Sequence, residues 1–177
     1  MALLRVKLIA TTTLIVALFT PSAAADLKID KIVIATSIPG SQQNATLSAV
    51  RAFYQFWNTG DDSILKEALA PNFTDRTLPP GRPQGPQGPA FASHQFRGAV
   101  PDLGVEVKKM VVAGDYVTAH IVFTGHFTRM FGQTQGRGQF VSFIATDLLK
   151  VAGGLITDNW HIEDNLTLMK QLGVVTQ

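Results

Sequence analysis

The chain has 177 residues, which suits one domain with its own hydrophobic core. It contains no cysteine, which excludes disulfides, thiol catalysis and cysteine-ligated metal. Its formal charge of +2 comes from Arg5 and Lys7; the rest carries 13 basic and 13 acidic residues in no stripe, so nothing points to a nucleic-acid partner.

Residues 1–25 read as a signal peptide. Arg5 and Lys7 form a positive start, Leu8 to Phe19 an apolar run broken by three threonines, and Ala23 to Ala25 a small-residue cleavage site. The run falls short of the ~20 residues that span a bilayer. An uncleaved anchor is the alternative, but the small residues sit where cleavage needs them. The expectation is export with no membrane span once the leader is removed, and export without cysteine fits a bacterial periplasm.

Residues 26–43 read as a connecting segment in which Ile29, Ile32 and Ile34 allow a short strand and Pro39-Gly40 a stop. From 44 to 177 the pattern is that of one domain. Asn44 to Asn58 predicts a helix capped by Asn44, with Leu47, Val50, Phe53, Tyr54 and Trp57 on one stripe and Thr59-Gly60 as its end. Asp61-Asp62-Ser63 opens a second short helix, Ile64 to Ala70, halted by Pro71. Phe73 to Thr77 reads as extended. Leu78 to Ala90, with five prolines and three glycines, reads as a loop that is either a lid or a plain surface segment. Phe91 to Val100 is a third helix, ended by Pro101.

From Val105 the period becomes two. A strand through Val105, Val107, Val111 and Val112 turns at Gly114-Asp115 into Tyr116 to Thr128. In the latter, Val117, Ala119, Ile121, Phe123 and Phe127 share one face, and Thr118, His120, Val122, Thr124 and His126 the other. After a glycine-bearing loop at 132–138 come strands Gln139 to Val151 and Leu155 to Glu163, joined at Gly153-Gly154, then a helix Asn165 to Leu172. Helices first, then an antiparallel meander, give an α+β fold. The expectation is a curved antiparallel four-stranded sheet packed on a helical hairpin and a third helix, leaving an internal pocket.

Ala145-Thr146-Asp147-Leu148-Leu149, the Gly153-Gly154 turn, Ile156 to Asp164 and Leu168 to Gly173 together resemble the SnoaL-like polyketide cyclases, also described as predicted ester cyclases. That family has the nuclear-transport-factor-two-like fold. Ala99-Val100-Pro101-Asp102-Leu103, Gly114-Asp115 and Thr124-Gly125-His126 extend the likeness over about residues 44–173. The resemblance implies a cone-shaped barrel, often a dimer, and no metal or organic cofactor. It also implies an intramolecular aldol reaction begun by a carboxylate that follows the tryptophan of a His-Trp-Asp triplet. Here the triplet is Asn159-Trp160-His161. The carboxylate position holds His161, and Asp147 stands where those cyclases have a third-strand histidine. This points to a branch with a swapped acid/base pair.

The candidate catalytic residues are therefore His161, as general base or acid, and Asp147, which would fix its tautomer. Their meeting depends on the hairpin: a two-residue turn sets Asp147 opposite Trp160, and a three-residue loop with a bulge sets it opposite His161. Turn chemistry favours the first and the resemblance the second, which is adopted. Candidate substrate-binding residues are Asn159, on the face of His161; Arg76, unless it pairs with Asp75 on the surface; Tyr54, whose hydroxyl needs a partner if buried; and His120, unless it lies on the outer face. Glu163 reads as a solvated rim carboxylate, His94 and His126 as surface residues, and Asp164-Asn165 as a helix cap. The expected partner is a small apolar oxygenated molecule undergoing isomerisation, aldol-type cyclisation or hydrolysis. The alternatives are a non-catalytic binding module and an interaction protein whose pocket is merely core.

Overall fold

The computed structural model describes residues 26–35 and 37–175; the leader expected at 1–25 lies outside them. In chain order the elements are β1 (Ile32–Ile34), α1 (Gly40–Thr59), α2 (Asp62–Ala68), β2 (Leu69–Asp75), α3 (Gln87–Ala99), β3 (Gly104–Ala113), β4 (Tyr116–Phe127), β5 (Met130–Phe131), β6 (Thr134–Gln135), β7 (Gln139–Ala152), β8 (Leu155–Glu163) and α4 (Asn165–Leu172).

Alternation builds the centre of the sheet. Val117, Ala119, Ile121, Phe123 and Phe127 are buried on the inner face of β4, while Thr118 and His126 are exposed on the other. β4 pairs along its whole length with β7, and β3 and β8 flank this pair, all antiparallel. The apolar stripe of α1 covers the inner face with Val50, Phe53, Tyr54 and Phe56 buried, and α1 ends where Gly60 takes a left-handed conformation. Each large apolar side chain so buried contributes about 1.5–3 kcal/mol. Asp61 caps α2 through Ser63 N, at 2.9 Å, and Asp164 caps α4 through Thr167 N, at 3.0 Å.

The α+β class stands, but the expected four antiparallel strands are six in a mixed sheet, ordered β1-β3-β4-β7-β8-β2. β1 and β2 each add to an edge in parallel. Residues 26–43 are accordingly not only a connector, since they supply β1 and the first turn of α1. Asn44 lies inside α1 rather than capping it. The second helix stops at Ala68, because Leu69 to Asp75 gain strand bonds to β8, with Pro71 tolerated on the edge. Helix α3 starts at Gln87, four residues earlier than expected; Pro89 falls in its first turn, where the missing N–H would have no partner in the helix. The loop at 132–138 begins inside a small β5–β6 hairpin.

The junction from α3 to β3 presses on β4 at Gly125. A Cβ there would lie 2.4 Å from Val100 Cγ1 and 3.1 Å from Asp102 Oδ1. Asp102 is fixed in turn by His126, whose backbone N–H donates to Oδ1 at 2.7 Å. Gly125→Ala is expected to lower unfolding free energy by about 1–3 kcal/mol, measured by denaturant titration, through overpacking against the fully buried Val100.

Candidate active site

The cone formed by the inner sheet face, α1, α3 and α4 encloses a cavity of about 510 Å³, a size that suits a small organic molecule. Its apolar wall comes from Phe53, Trp57, Phe96, Phe123, Phe131 and Phe143. Phe123 stacks on Phe143 at 5.2 Å, and Phe96 meets Phe131 and Phe143 edge-on. Its polar end comes from Asp75, Arg82, Asp147, Asn159, His161 and Glu163. Pro79 to Arg82 also line it, so the Pro/Gly loop borders the cavity.

The hairpin between β7 and β8 settles how Asp147 and His161 meet. Gly153 and Gly154 both have positive φ, +59° and +78°, and join Ala152 to Leu155 as a two-residue turn. With unbroken pairing this turn would set Asp147 opposite Trp160. The register instead skips Thr157, between the Lys150–Asp158 and Val151–Ile156 pairs, and that bulge brings His161 opposite Asp147. The turn is the short one that glycine chemistry favours, and the register is the one the resemblance implies. Thr157 braces the bulge by donating to Lys150 O at 3.3 Å or to Asp158 Oδ2 at 2.8 Å.

Asp147 is 1% exposed. Its Oδ2 accepts from the Tyr54 hydroxyl at 2.7 Å and its Oδ1 from His161 Nδ1 at 2.8 Å. His161 Nε2 faces Glu163 Oε2 at 3.4 Å. Burial opposes charge on His161, but the Asp147 and Glu163 carboxylates outweigh it and push the imidazole up from 6.5 to about 10. At neutral pH the ring is thus an imidazolium, suited to donating a proton or holding a negative oxygen rather than to accepting a proton. Burial, with Asp147 beside it, raises the Tyr54 phenol well above its usual value, so it stays a donor.

The other predicted residues divide. Asn159 lines the cavity, 7% exposed, and its side-chain Oδ1 has no hydrogen-bond partner among the described residues. Its backbone, and that of His161, are held by the chain leaving β2: Arg76 N donates to Asn159 O at 2.8 Å, and His161 N to Thr77 Oγ1 at 2.9 Å. Tyr54 does not touch the cavity; it is fully buried behind Asp147. Arg76 lies outside as well, bound to Asp158 at 2.7 Å and placed over the Trp160 ring, with no pairing to Asp75. His120 sits on the outer sheet face, with Nδ1 3.0 Å from Thr146 Oγ1. Glu163 is not a freely solvated rim carboxylate; its side chain is 26% exposed and lines the cavity. Asp75 turns inward, 3.7 Å from Arg82. Sequence reasoning passed over Arg82, in the Pro/Gly loop, and Phe131, in the two-residue strand β5, because no periodicity reveals the path of either segment.

Comparison with known proteins agrees with this architecture. The family profile of the SnoaL-like polyketide cyclases matches residues 47–172, and the chain belongs to that family. No curated protein matches it. Among solved structures it is similar to a Bacillus cereus protein classed with the polyketide cyclases, at TM-score 0.78 and 38% identity over 85% of this chain and 95% of that one. It is also similar to TsrD of Streptomyces laurentii, at TM-score 0.68 and 25% identity over 75% and 98% of the two chains. IdmH of Streptomyces antibioticus aligns at TM-score 0.66 and 26% identity over 72% and 98%.

The raised His161 value has a stability consequence. The folded ring keeps its proton where the unfolded one, near 6.5, loses it, so the contribution is complete below pH 6.5 and is lost as pH rises through about 10. Unfolding free energy measured across this range should fall by more in the wild type than in Asp147→Asn. NMR titration of that variant should show the His161 imidazole titrating well below its wild-type value.

Proposed function

We propose that this SnoaL-like protein binds a small, largely apolar, oxygenated molecule and performs cofactor-free acid/base chemistry on it: isomerisation, aldol-type cyclisation or hydrolysis. The supporting observation is the His161 ring, held at 2.8 Å by a buried Asp147 at the polar end of an otherwise aromatic cavity, a pairing that favours its protonated form. A cation there stabilises negative charge that develops on a ligand oxygen, and its fixed orientation requires no rearrangement as the charge appears. The unpartnered Asn159 Oδ1 calls for a donor, so the ligand carries a hydroxyl or enol beside its carbonyl. Tyr54 acts through Asp147 and is a positioning residue.

A binding module with the same cavity is the second reading, favoured by the Asn159-Trp160-His161 triplet standing where the family's carboxylate is expected. Export to a bacterial periplasm and a homodimer belong to the proposal. Val111, Ile144, Leu148 and Ile162, exposed together on the outer sheet face, support the dimer.

Thermal-shift screening of the chain from residue 26 onward against lactones, epoxides and ketones tests the ligand class. A ligand at 100 times its Kd should add about 2.7 kcal/mol of stability. With a ligand found, His161→Ala should abolish turnover and leave affinity within about tenfold. Turnover that survives the change removes His161 from the chemistry. Tight binding with no turnover across the panel establishes the module.

A further inference from the structure

The acid/base reading leaves one role unfilled. A ring that holds its proton at neutral pH cannot take one from carbon, so the base must lie elsewhere on the cavity wall. Among the described residues three carboxylates border the cavity: Asp75, Asp147 and Glu163. Asp147 has both oxygens occupied, by Tyr54 and His161, and is sealed from solvent. Asp75 is committed to the start of the Pro/Gly loop. Its Oδ1 accepts from Thr77 N at 2.9 Å and Thr77 Oγ1 at 3.2 Å, and its Oδ2 faces Arg82. Glu163 differs. Among the described residues its one side-chain partner is His161 Nε2 at 3.4 Å, a contact long enough for a ligand oxygen to displace.

Position agrees with this. Glu163 follows His161 by two residues on β8, so both side chains project from the same face, and Nε2 and Oε2 converge to 3.4 Å. A carbonyl oxygen at the ring and the C–H on the adjacent carbon at the carboxylate are likewise close neighbours in one ligand. Both residues also border a smaller space of about 220 Å³, shared with Thr77, Pro79 and Arg82, so the carboxylate has a route to exchange its proton outside the main cavity.

We propose that Glu163 is the general base of this site, removing a proton from a carbon next to a ligand carbonyl while His161 holds the resulting enolate oxygen. The C–H bond breaks and its proton goes to a Glu163 oxygen. The electron pair forms the enolate C=C bond, and the carbonyl π electrons move to the oxygen facing His161 Nε2. Once Glu163 has swapped that proton with solvent, delivery of the solvent-derived proton to the same carbon completes exchange; delivery of a proton to another carbon completes isomerisation. This rests on the acid/base reading above. The groups facing His161 are Tyr54 from α1, Asp147 from β7, Glu163 from its own strand, and Asp75 and Arg82 from β2 and the loop after it.

The test is hydrogen–deuterium exchange of β-tetralone, an apolar bicyclic ketone with acidic benzylic hydrogens next to its carbonyl, followed by proton NMR in D2O. The wild type should exchange these above the buffer rate. Glu163→Gln should lower the protein-dependent rate by about 100-fold, and Glu163→Asp should restore part of it. The wild-type rate should fall as pH rises through about 10, where the His161 proton is lost. A Glu163→Gln rate within about threefold of wild type would overturn Glu163 as base and leave the acid/base reading standing. A wild-type rate that instead rises through that pH range would name neutral His161 as the base, and this needs no variant to fold. No wild-type exchange above buffer would overturn the acid/base reading and this inference together.

Discussion

The burial of the Asp147 carboxylate is the constraint on which the site depends. An ionised carboxylate taken out of water costs several kcal/mol unless it is paired and hydrogen-bonded. Both donors are therefore obligatory, and they come from different parts of the chain: the Tyr54 hydroxyl from α1 and the His161 ring from β8. The carboxylate ties the helix layer to the sheet at one end of the cavity. Removing one partner of such a buried pair typically costs about 3–5 kcal/mol. The same charge keeps the imidazole protonated, so the interaction that closes the fold there also sets the chemical state of the site. Loss of the His161 proton at alkaline pH therefore weakens the fold and, in the acid/base reading, the reactivity together.

What the sequence revealed and what it hid follow physical lines. The inner and outer faces of β4 were legible because a strand half covered by helices must alternate, and Val117 to Phe127 do so without interruption. The stripe on α1 was legible for the same reason at helical period. The edge strands were legible only in part: a short strand through Ile32 and Ile34 and an extended piece from Phe73 were expected, but the start of β2 and the parallel pairing were hidden, since Leu69 to Asp75 gains its strand bonds only from a partner more than 80 residues away. The bulge at Thr157 was equally hidden. A bulge leaves no composition mark, and Gly153-Gly154 spoke for the register that would have separated Asp147 from His161. Their opposition was read correctly through family likeness, with a three-residue loop assigned to a shift that lies further along β8.

The strand from Leu69 to Asp75 also explains why the candidate ligands separated. Its end holds the backbone of Asn159 and His161, which keeps both side chains on the inner face. Arg76, immediately beyond it, is drawn to Asp158 and Trp160 instead. Asp75 faces inward and Arg76 does not, reversing the expectation for that pair. Local chemistry made arginine the better ligand, but the alternation of side chains decided which of the two reached the cavity.

The arrangement shows how a fold can exchange its acid and its base without being rebuilt. Residues 147 and 161 are opposed across two central strands and point into one cavity, so a carboxylate and an imidazole in contact there are close to the same ion pair whichever strand supplies which. The exchange is not symmetric in its consequences. Position 147 is sealed behind Tyr54, whereas position 161 is 23% exposed and borders the cavity. A carboxylate at 161 could meet a ligand directly; the carboxylate at 147 borders the cavity with both oxygens already held by its two donors. Placing the acid at the open position and the carboxylate at the sealed one gives the cavity a cation where the family pattern has an anion. In the acid/base reading proposed above, proton abstraction then moves to the next inward-facing residue on the strand, which is Glu163.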